Sequence, residues 1–380
     1  MLKRVYSLEG LNMKIIVVSG INLYIGGTLK VMQDCIASLA SSFDDNYRIV
    51  ALVHDETQYP KYDNVQYISY PKSRKSWLYR LYYEYIEFKK LSKQLKPYCW
   101  FSMHDTTPNV IAEKQIVYCH NPFPFFKAGL RGLWLQKGIY LFTIFSKYIY
   151  QINIKKNDHV IVQQEWIRNA FKQMFSIDNI VVSIPVHNSF GNINEEEKAK
   201  PKNDKTVFFY PATPMIHKNF ELIRDAVSIL EKEGVDKFEV VLTMDGTENK
   251  YAKYIHNKCK SLNGIRFSGY LTREDIARYY ENSNCLLFPS KAETWGLPIT
   301  EAKDYNKPIV ISDLPYAKES VGKYDKVKFF DSDNAQQLAD CMKNLMDGTL
   351  VYDKTEEVKH AEPVVWNWDE LTRFLFKNDI

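Results

Sequence analysis

Short apolar runs alternate along this chain with longer amphipathic stretches. Residues 14–19, 115–119, 159–163, 180–186, 206–210, 238–243, 285–288 and 308–311 are almost continuously hydrophobic and are bounded by Gly, Pro, Asn, Asp or Lys. Runs of this length without polar alternation predict strands buried on both faces, as in a parallel sheet, and the stretches between them carry helical spacing. The opening shows the unit most clearly: strand 14–19, glycine-bearing loop 20–27, helix 28–43 and strand 48–53 make a βαβ unit. After residue 206 the alternation restarts, with helices expected from Asn219 and Thr272 and between the strands at 285–288 and 308–311. The pattern therefore predicts an α/β protein with two parallel sheets.

Length agrees with that division, because 380 residues exceed one ordinary core. The polar, Gly- and Pro-bearing stretch at 190–205 predicts a linker, which puts an N-terminal domain at 1–189 and a second domain at 206–363. A composition of 45% hydrophobic and 25% charged residues is that of a folded globular chain. Charge is uneven: residues 1–189 carry 23 Lys and Arg against 14 Asp and Glu, the remainder 27 against 32. Six scattered cysteines without a C-x-x-C pair predict reduced structural thiols and a cytoplasmic setting. The first apolar run reads as a strand and not as a secretory signal, with residues 1–12 as an extension ahead of it.

Two stretches of the basic half combine cations with aromatics. Residues 72–96, read as one helix, hold eight Lys or Arg against two Glu, interleaved with Trp77, Tyr79, Tyr82, Tyr83, Tyr85 and Phe88. Residues 127–156 repeat the recipe with Trp134, Tyr140, Phe142, Phe145, Tyr148 and Tyr150. Both are too polar to span a bilayer. They fit a surface lying on an anionic membrane, or a core-facing aromatic stripe with a solvated basic face. Nucleic acid is not expected as a partner, since no recognised nucleic-acid module accompanies the charge.

Candidate chemistry concentrates at 285–313. A strand, a loop containing Gly296 and a helix opened by Pro298 place free backbone N–H groups at the carboxyl edge of a sheet, an anion-binding arrangement. Glu293 precedes that helix and Glu301 is expected within its first turn, either as functional carboxylates or as a solvated loop residue and a helix-dipole partner. Lys218 stands before the helix from Asn219, where ammonium and N–H groups can meet phosphate together. In the first half, Gly26 and Gly27 permit close backbone approach at a helix start or make only a tight turn. They do not complete a dinucleotide fingerprint, so a nicotinamide dehydrogenase is disfavoured. His120 ends the strand at 115–119, as a cleft residue or a hydrogen-bonded structural one.

Glu293-Thr-Trp-Gly-Leu-Pro-Ile-Thr-Glu301, with Pro289-Ser290 before it and Lys307-Pro308 after it, resembles the E-x7-E signature of the retaining glycosyltransferases of the GT-B fold, the large family 4. That resemblance implies two Rossmann-like domains facing across a cleft, with the C-terminal helix in 364–380 crossing back to the first. It also implies a transfer from a nucleotide-sugar donor held by the second domain to a glycan or lipid-linked acceptor on the first, as in bacterial surface-polysaccharide synthesis at the inner face of the cell membrane. By this likeness Glu293 and His120 flank the transferred sugar, while Thr294, Trp295, Gly296 and Leu297 offer N–H groups to the diphosphate. Lys218 neutralises the diphosphate, Glu301 binds the ribose, Tyr270 lines the base pocket, and Gly26 and Gly27 form the facing glycine loop. No metal and no cofactor beyond the GDP- or UDP-sugar is implied, and Pro211-Ala212 ahead of His-Lys-Asn resembles mannosyl-type enzymes and so a GDP donor. Asp331-Ser-Asp333 reads as a helix cap. One departure stands out: where the family carries Gly-Arg before the Lys, this chain has Ala212 and Thr213, leaving His217 or Lys291 to assist. A nucleotide-sugar epimerase of the same fold and a catalytically silent carbohydrate- or partner-binding relative remain as alternatives.

Overall fold

A computed structural model describes residues 13–44, 46–185 and 204–377. The expected linker at 190–205, the leading residues 1–12 and the end of the C-terminal stretch lie wholly or largely outside these. The chain divides into two units: residues up to His120 with 147–185 and 361–377, and 121–146 with 204–360. The boundary read from the sequence at 189 puts 121–146 in the first domain; in the structure this segment belongs to the second unit, where Gln136 hydrogen-bonds Ile216 and Pro214.

The first unit is built on strands β1 (Lys14–Ser19), β2 (Tyr47–Val53), β3 (Val65–Ser69), β4 (Cys99–Ser102), β5 (Lys114–Cys119), β6 (His159–Val162) and β7 (Ile180–Ser183). The second holds β8 (Thr206–Tyr210), β9 (Phe238–Leu242), β10 (Ile265–Phe267), β11 (Cys285–Phe288), β12 (Ile309–Ser312) and β13 (Val327–Phe330). The last strand, β14 (Val364–Val365), joins the first sheet, which runs β14-β7-β6-β5-β4-β1-β2-β3, whereas the second runs β10-β9-β8-β11-β12-β13. Every pairing is parallel, which explains why the strands lack polar alternation: helices cover both faces. On β1, Ile16 and Val18 face a layer with Met32, Cys35 and Leu39 of the Gly26–Ser42 helix, while Val17 faces Phe88, Leu91 and Trp100. All six cysteines are buried thiols.

The chain end is tied to the first unit. Val364 pairs with Val182, the Arg168 guanidinium donates to the carbonyls of Ala361 and Pro363, and Leu371, Leu375 and Phe376 of the Trp368–Leu375 region join the same hydrophobic layer as Leu39. Ser38 donates to Asp369 at 2.8 Å, closing the contact with a polar pair.

Segment 72–96 differs from the single helix expected. Residues 72–75 form turns, Ser76 caps the helix Trp77–Tyr82, a π-helical turn follows at Tyr83–Glu87, and an α-helix completes Phe88–Leu95. The wide turn brings Glu84 fully inside, where it accepts from Arg80 Nε at 2.5 Å and Thr106 Oγ1 at 2.6 Å. Arg80, expected on the solvated basic face, is thereby turned inward; its second nitrogen donates to the His104 carbonyl at 2.7 Å.

Candidate active site

In the second sheet the strand order reverses at β8 and β11, which lie side by side while their connections leave in opposite directions. In open α/β sheets the crevice beyond the carboxyl ends at such a reversal is where ligands bind. Lys218 comes from the loop after β8 and Glu293 from the loop after β11, so the two candidate residues enter this crevice from its two sides. Their side chains meet: Lys218 Nζ donates to Glu293 Oε1 at 2.5 Å, and Ser290 Oγ donates to the same oxygen at 2.6 Å.

Each partner is set by the local backbone. Lys218 ends a 3-10 turn, Ile216–Lys218, and Asn219 follows with φ +58°, capping the helix Phe220–Lys232. Asn219 tolerates that left-handed conformation and donates its side-chain amide to the carbonyls of Pro289 and Ser332. Tyr210, buried at the end of β8, donates to the Lys218 carbonyl at 2.8 Å and lies 3.2 Å from Ser290 Oγ. Tyr316 donates to the Ser290 carbonyl at 2.7 Å. Burial first, and the nearby Glu293 charge second, push both tyrosine hydroxyls well above their ordinary pKa, so they remain protonated donors.

The glycine in this loop is required. Gly296 has φ +81°, and a Cβ there would stand 2.9 Å from Ile299 Cδ1 and 3.2 Å from the Phe288 ring. It opens the helix Leu297–Asp304 with Pro298 in its first turn. Glu301 falls one residue beyond that turn, not within it as expected, because the helix starts at Leu297. Its carboxylate accepts from Tyr280 at 2.8 Å. Thr294, Trp295 and Leu297 are half-buried on the same loop, with Trp295 Nε1 donating to Thr300 Oγ1 at 3.1 Å. Tyr270 stands 90% exposed after Gly269, in the loop beyond β10.

Of the two cations expected to stand in for the missing Arg, His217 does not supply charge there. His217 is buried, and desolvation with the Lys218 charge lowers its pKa well below the ordinary value, so the ring is neutral. Lys291 pairs with Asp333. Thr213 is exposed and Ala212 donates its backbone N–H to Thr243 Oγ1 at 3.0 Å. Asp331 is not the helix cap either: Asn334 caps Ala335–Met346, and Asp331 accepts from the Asp333 N–H in a local turn. Among the described residues no cluster of three or more His, Cys, Asp or Glu is arranged to hold a metal ion.

The first unit holds the other candidates. His120 follows β5 at the carboxyl edge; its backbone N–H donates to Asp105 Oδ1 at 2.7 Å and its ring Nδ1 lies 3.8 Å from that oxygen. Asp105 is itself in a left-handed conformation, φ +68°. Gly26 opens the helix Gly26–Ser42 with φ +60°, two residues earlier than expected, and Gly27 follows in open space. Beside them, where β1 and β4 reverse the first sheet's order, His104 bridges Asn22 and Ser19, and Ser19 also accepts from Trp100. Ser290 is legible only as part of the motif and not as a partner of Glu293, and Tyr210, Tyr316 and Tyr280 escape the sequence reading, since a tyrosine in an apolar strand or helix carries no signal that distinguishes it from core.

Comparison with known proteins agrees with this architecture. Residues 192–360 match the sequence profile of the family described as glycosyl transferases group 1. The O-antigen chain mannosyltransferase RfbU of Salmonella typhimurium (strain LT2) is 20% identical over 221 residues, 57% of this chain and 56% of that protein. The serotype-specific mannosyltransferase WbdA of Escherichia coli is 28% identical over 109 residues, 28% of this chain and 13% of that protein. The chain thus spans about half the length of the first relative and far less of the second. Sucrose-phosphate synthase from Thermosynechococcus elongatus superposes with a TM-score of 0.64 at 12% identity, covering 88% of this chain and 90% of that one. The protein has the GT-B fold, two parallel α/β units of Rossmann type, and its residues 192–360 carry the glycosyl transferases group 1 sequence pattern.

Proposed function

We propose that the protein is a retaining glycosyltransferase, of the family 4 type that its E-x7-E segment resembles, moving a sugar from a nucleotide-sugar donor to a glycan acceptor in bacterial surface-polysaccharide synthesis. The observation that carries this reading is the Lys218–Glu293 pair at the β8/β11 reversal, with Glu301 on the helix that follows. In the proposed complex the donor diphosphate takes Lys218 and the N–H groups of Thr294 to Leu297, so the ammonium and the helix start stabilise charge as it develops on the leaving group. Glu301 accepts from the ribose hydroxyls, and Tyr270 flanks the base. Glu293, released from Lys218 and still held by Ser290, faces the transferred sugar, where its charge stabilises an oxocarbenium-like transition state. His120, in the first unit, stands on the acceptor side with Gly26 and Gly27. No side-chain nucleophile or metal is invoked, the leaving phosphate serving as base.

The donor reading is GDP-linked, with mannose the favoured sugar, supported by the Pro-Ala resemblance and by the names of RfbU and WbdA. The acceptor reading is a lipid-linked glycan at the inner face of the membrane, approached by the basic aromatic faces. These are exposed in the structure: Leu78 is 77% and Trp134 81% accessible, and Trp77, Tyr82, Phe145 and Tyr148 are also exposed, whereas Phe88, Phe142 and Tyr150 take core positions. No described helix is long and apolar enough to cross a membrane. The exposed Thr213 in place of the family Arg favours one second reading, a catalytically silent carbohydrate- or partner-binding relative. A thermal-shift panel of GDP-, UDP-, CMP- and dTDP-sugars tests the donor reading: a ligand at 100 times its Kd adds about 2.7 kcal/mol, and stabilisation by one nucleotide class is expected. No shift with any member contradicts the proposal.

A further inference from the structure

The 3-10 turn that carries Lys218 is held on one side by its own domain core and on the other by a segment from far earlier in the chain. On the core side, Tyr210 and Lys291 hydrogen-bond the carbonyls of Lys218 and His217. On the other side lies 121–146, the part of the second unit that the sequence boundary does not include. Gln136, which ends the helix Leu130–Leu135, accepts from the Ile216 N–H at 2.9 Å and donates to the Pro214 carbonyl at 3.3 Å. Gly132 is buried against the same turn, and a Cβ there would stand 3.0 Å from Ile216 Cδ1. The Phe123 ring meets the buried His217 edge-on at 5.1 Å, and Phe126 lies at 6.0 Å. Nδ1 of His217 has no hydrogen-bond partner among the described residues, so that ring is located chiefly by packing.

We infer that Gln136, backed by Gly132, is a positioning residue for Lys218, so that segment 121–136 completes the site through which this chain binds a nucleoside diphosphate. The inference rests on the donor reading above. A clamp lysine works only when its ammonium stands where the phosphate oxygens will be, and a turn of three residues has little rigidity of its own. With Gln136 removed, the Ile216 N–H loses its acceptor and the turn loses one of its two walls.

The test is calorimetric titration of GDP and of UDP into the full chain as wild type, Lys218→Ala, Gln136→Leu and the double variant. Gln136→Leu is expected to weaken the better-bound nucleotide about fivefold, the worth of one ordinary hydrogen bond, and to cause no further weakening in the Lys218→Ala background. Gly132→Ala, which crowds Ile216 without removing a hydrogen bond, is expected to repeat that pattern and serves if Gln136→Leu does not fold. Unchanged affinity in Gln136→Leu or Gly132→Ala while Lys218→Ala binds weakly overturns the inference and leaves the donor reading intact. Equal weakening in both backgrounds also overturns it, since the effect then bypasses Lys218. Unchanged affinity in Lys218→Ala sinks the donor reading and this inference with it.

Discussion

Lys218 and Glu293 neutralise one another across the β8/β11 reversal, and under the proposed donor reading a diphosphate would compete with that ion pair for the ammonium. Removing either residue therefore has opposite consequences for binding. Lys218→Ala and Glu301→Ala each delete a charged hydrogen-bond partner and should weaken nucleoside-diphosphate binding by about 1.5–3 kcal/mol. Glu293→Ala frees Lys218, so nucleoside-diphosphate affinity should hold or rise while kcat falls, which is the mark of an interaction made in the transition state. Parallel titration and turnover measurements separate the two. A Glu293→Ala variant whose loss lies wholly in binding would return Glu293 to a structural role. Spacing and resemblance singled out both carboxylates and the lysine, and the structure brings Lys218 and Glu293 together. The Ser290, Tyr210 and Tyr316 hydroxyls that hold them were not, because their partners are backbone groups and loop residues up to 80 positions away.

The β1/β4 reversal and the π-helical turn form an element with its own pH response. Burial is the main cause that lowers the His104 pKa to about 4; Glu84 acts in the other direction, and Arg80 and His120 reinforce the lowering. A histidine depressed in the folded state binds its proton in the unfolded chain first. Its stabilising contribution is thus complete above about 6.5 and is lost as pH falls from there towards about 4, to a total of about 3 kcal/mol. Urea midpoints between pH 7 and 4.5 should fall for the wild type and fall less for His104→Gln; equal slopes would mean that folding leaves the His104 pKa unchanged. The strands β1, β2, β5 to β9, β11 and β12 followed from hydrophobic runs, whereas β3, β4, β13 and β14, short or interrupted by polar residues, did not. The break at 83–87 did not, because nothing in Tyr83-Glu-Tyr-Ile-Glu87 marks the turn as wide. Glu84 is drawn in by Arg80, Thr106 and His104, a long-range choice that overrides helical periodicity.

At the scale of the molecule, each unit exposes large apolar side chains in a segment that also carries cations: Trp77, Leu78 and Tyr82 in the segment with Lys72, Arg74 and Lys75 in one, Leu130 and Trp134 in the segment with Lys127 and Arg131 in the other. If these meet an anionic leaflet, each nearby cation adds on the order of 1 kcal/mol and the aromatics add a salt-insensitive part. Flotation with anionic vesicles should weaken with salt and fall on Lys72→Glu, Arg74→Glu and Lys75→Glu. Arg80 is left out because its charge belongs to the buried pair with Glu84. Flotation equal on neutral and anionic vesicles, or absent from both, would assign these faces to another role. The two-sheet plan could be read from the order of runs, whereas the allegiance of 121–146 could not, since it rests on Gln136 meeting a loop 78 to 80 residues later. The proposed retention in a nucleotide-sugar-dependent transfer can be read on the product itself. Its most direct measurement is the anomeric configuration, by NMR, of the first product formed from GDP-mannose and a soluble glycan acceptor. A retaining transferase gives an α-linked product, matching the donor's own α configuration; a β-linked product would mean inversion and exclude the proposed mechanism.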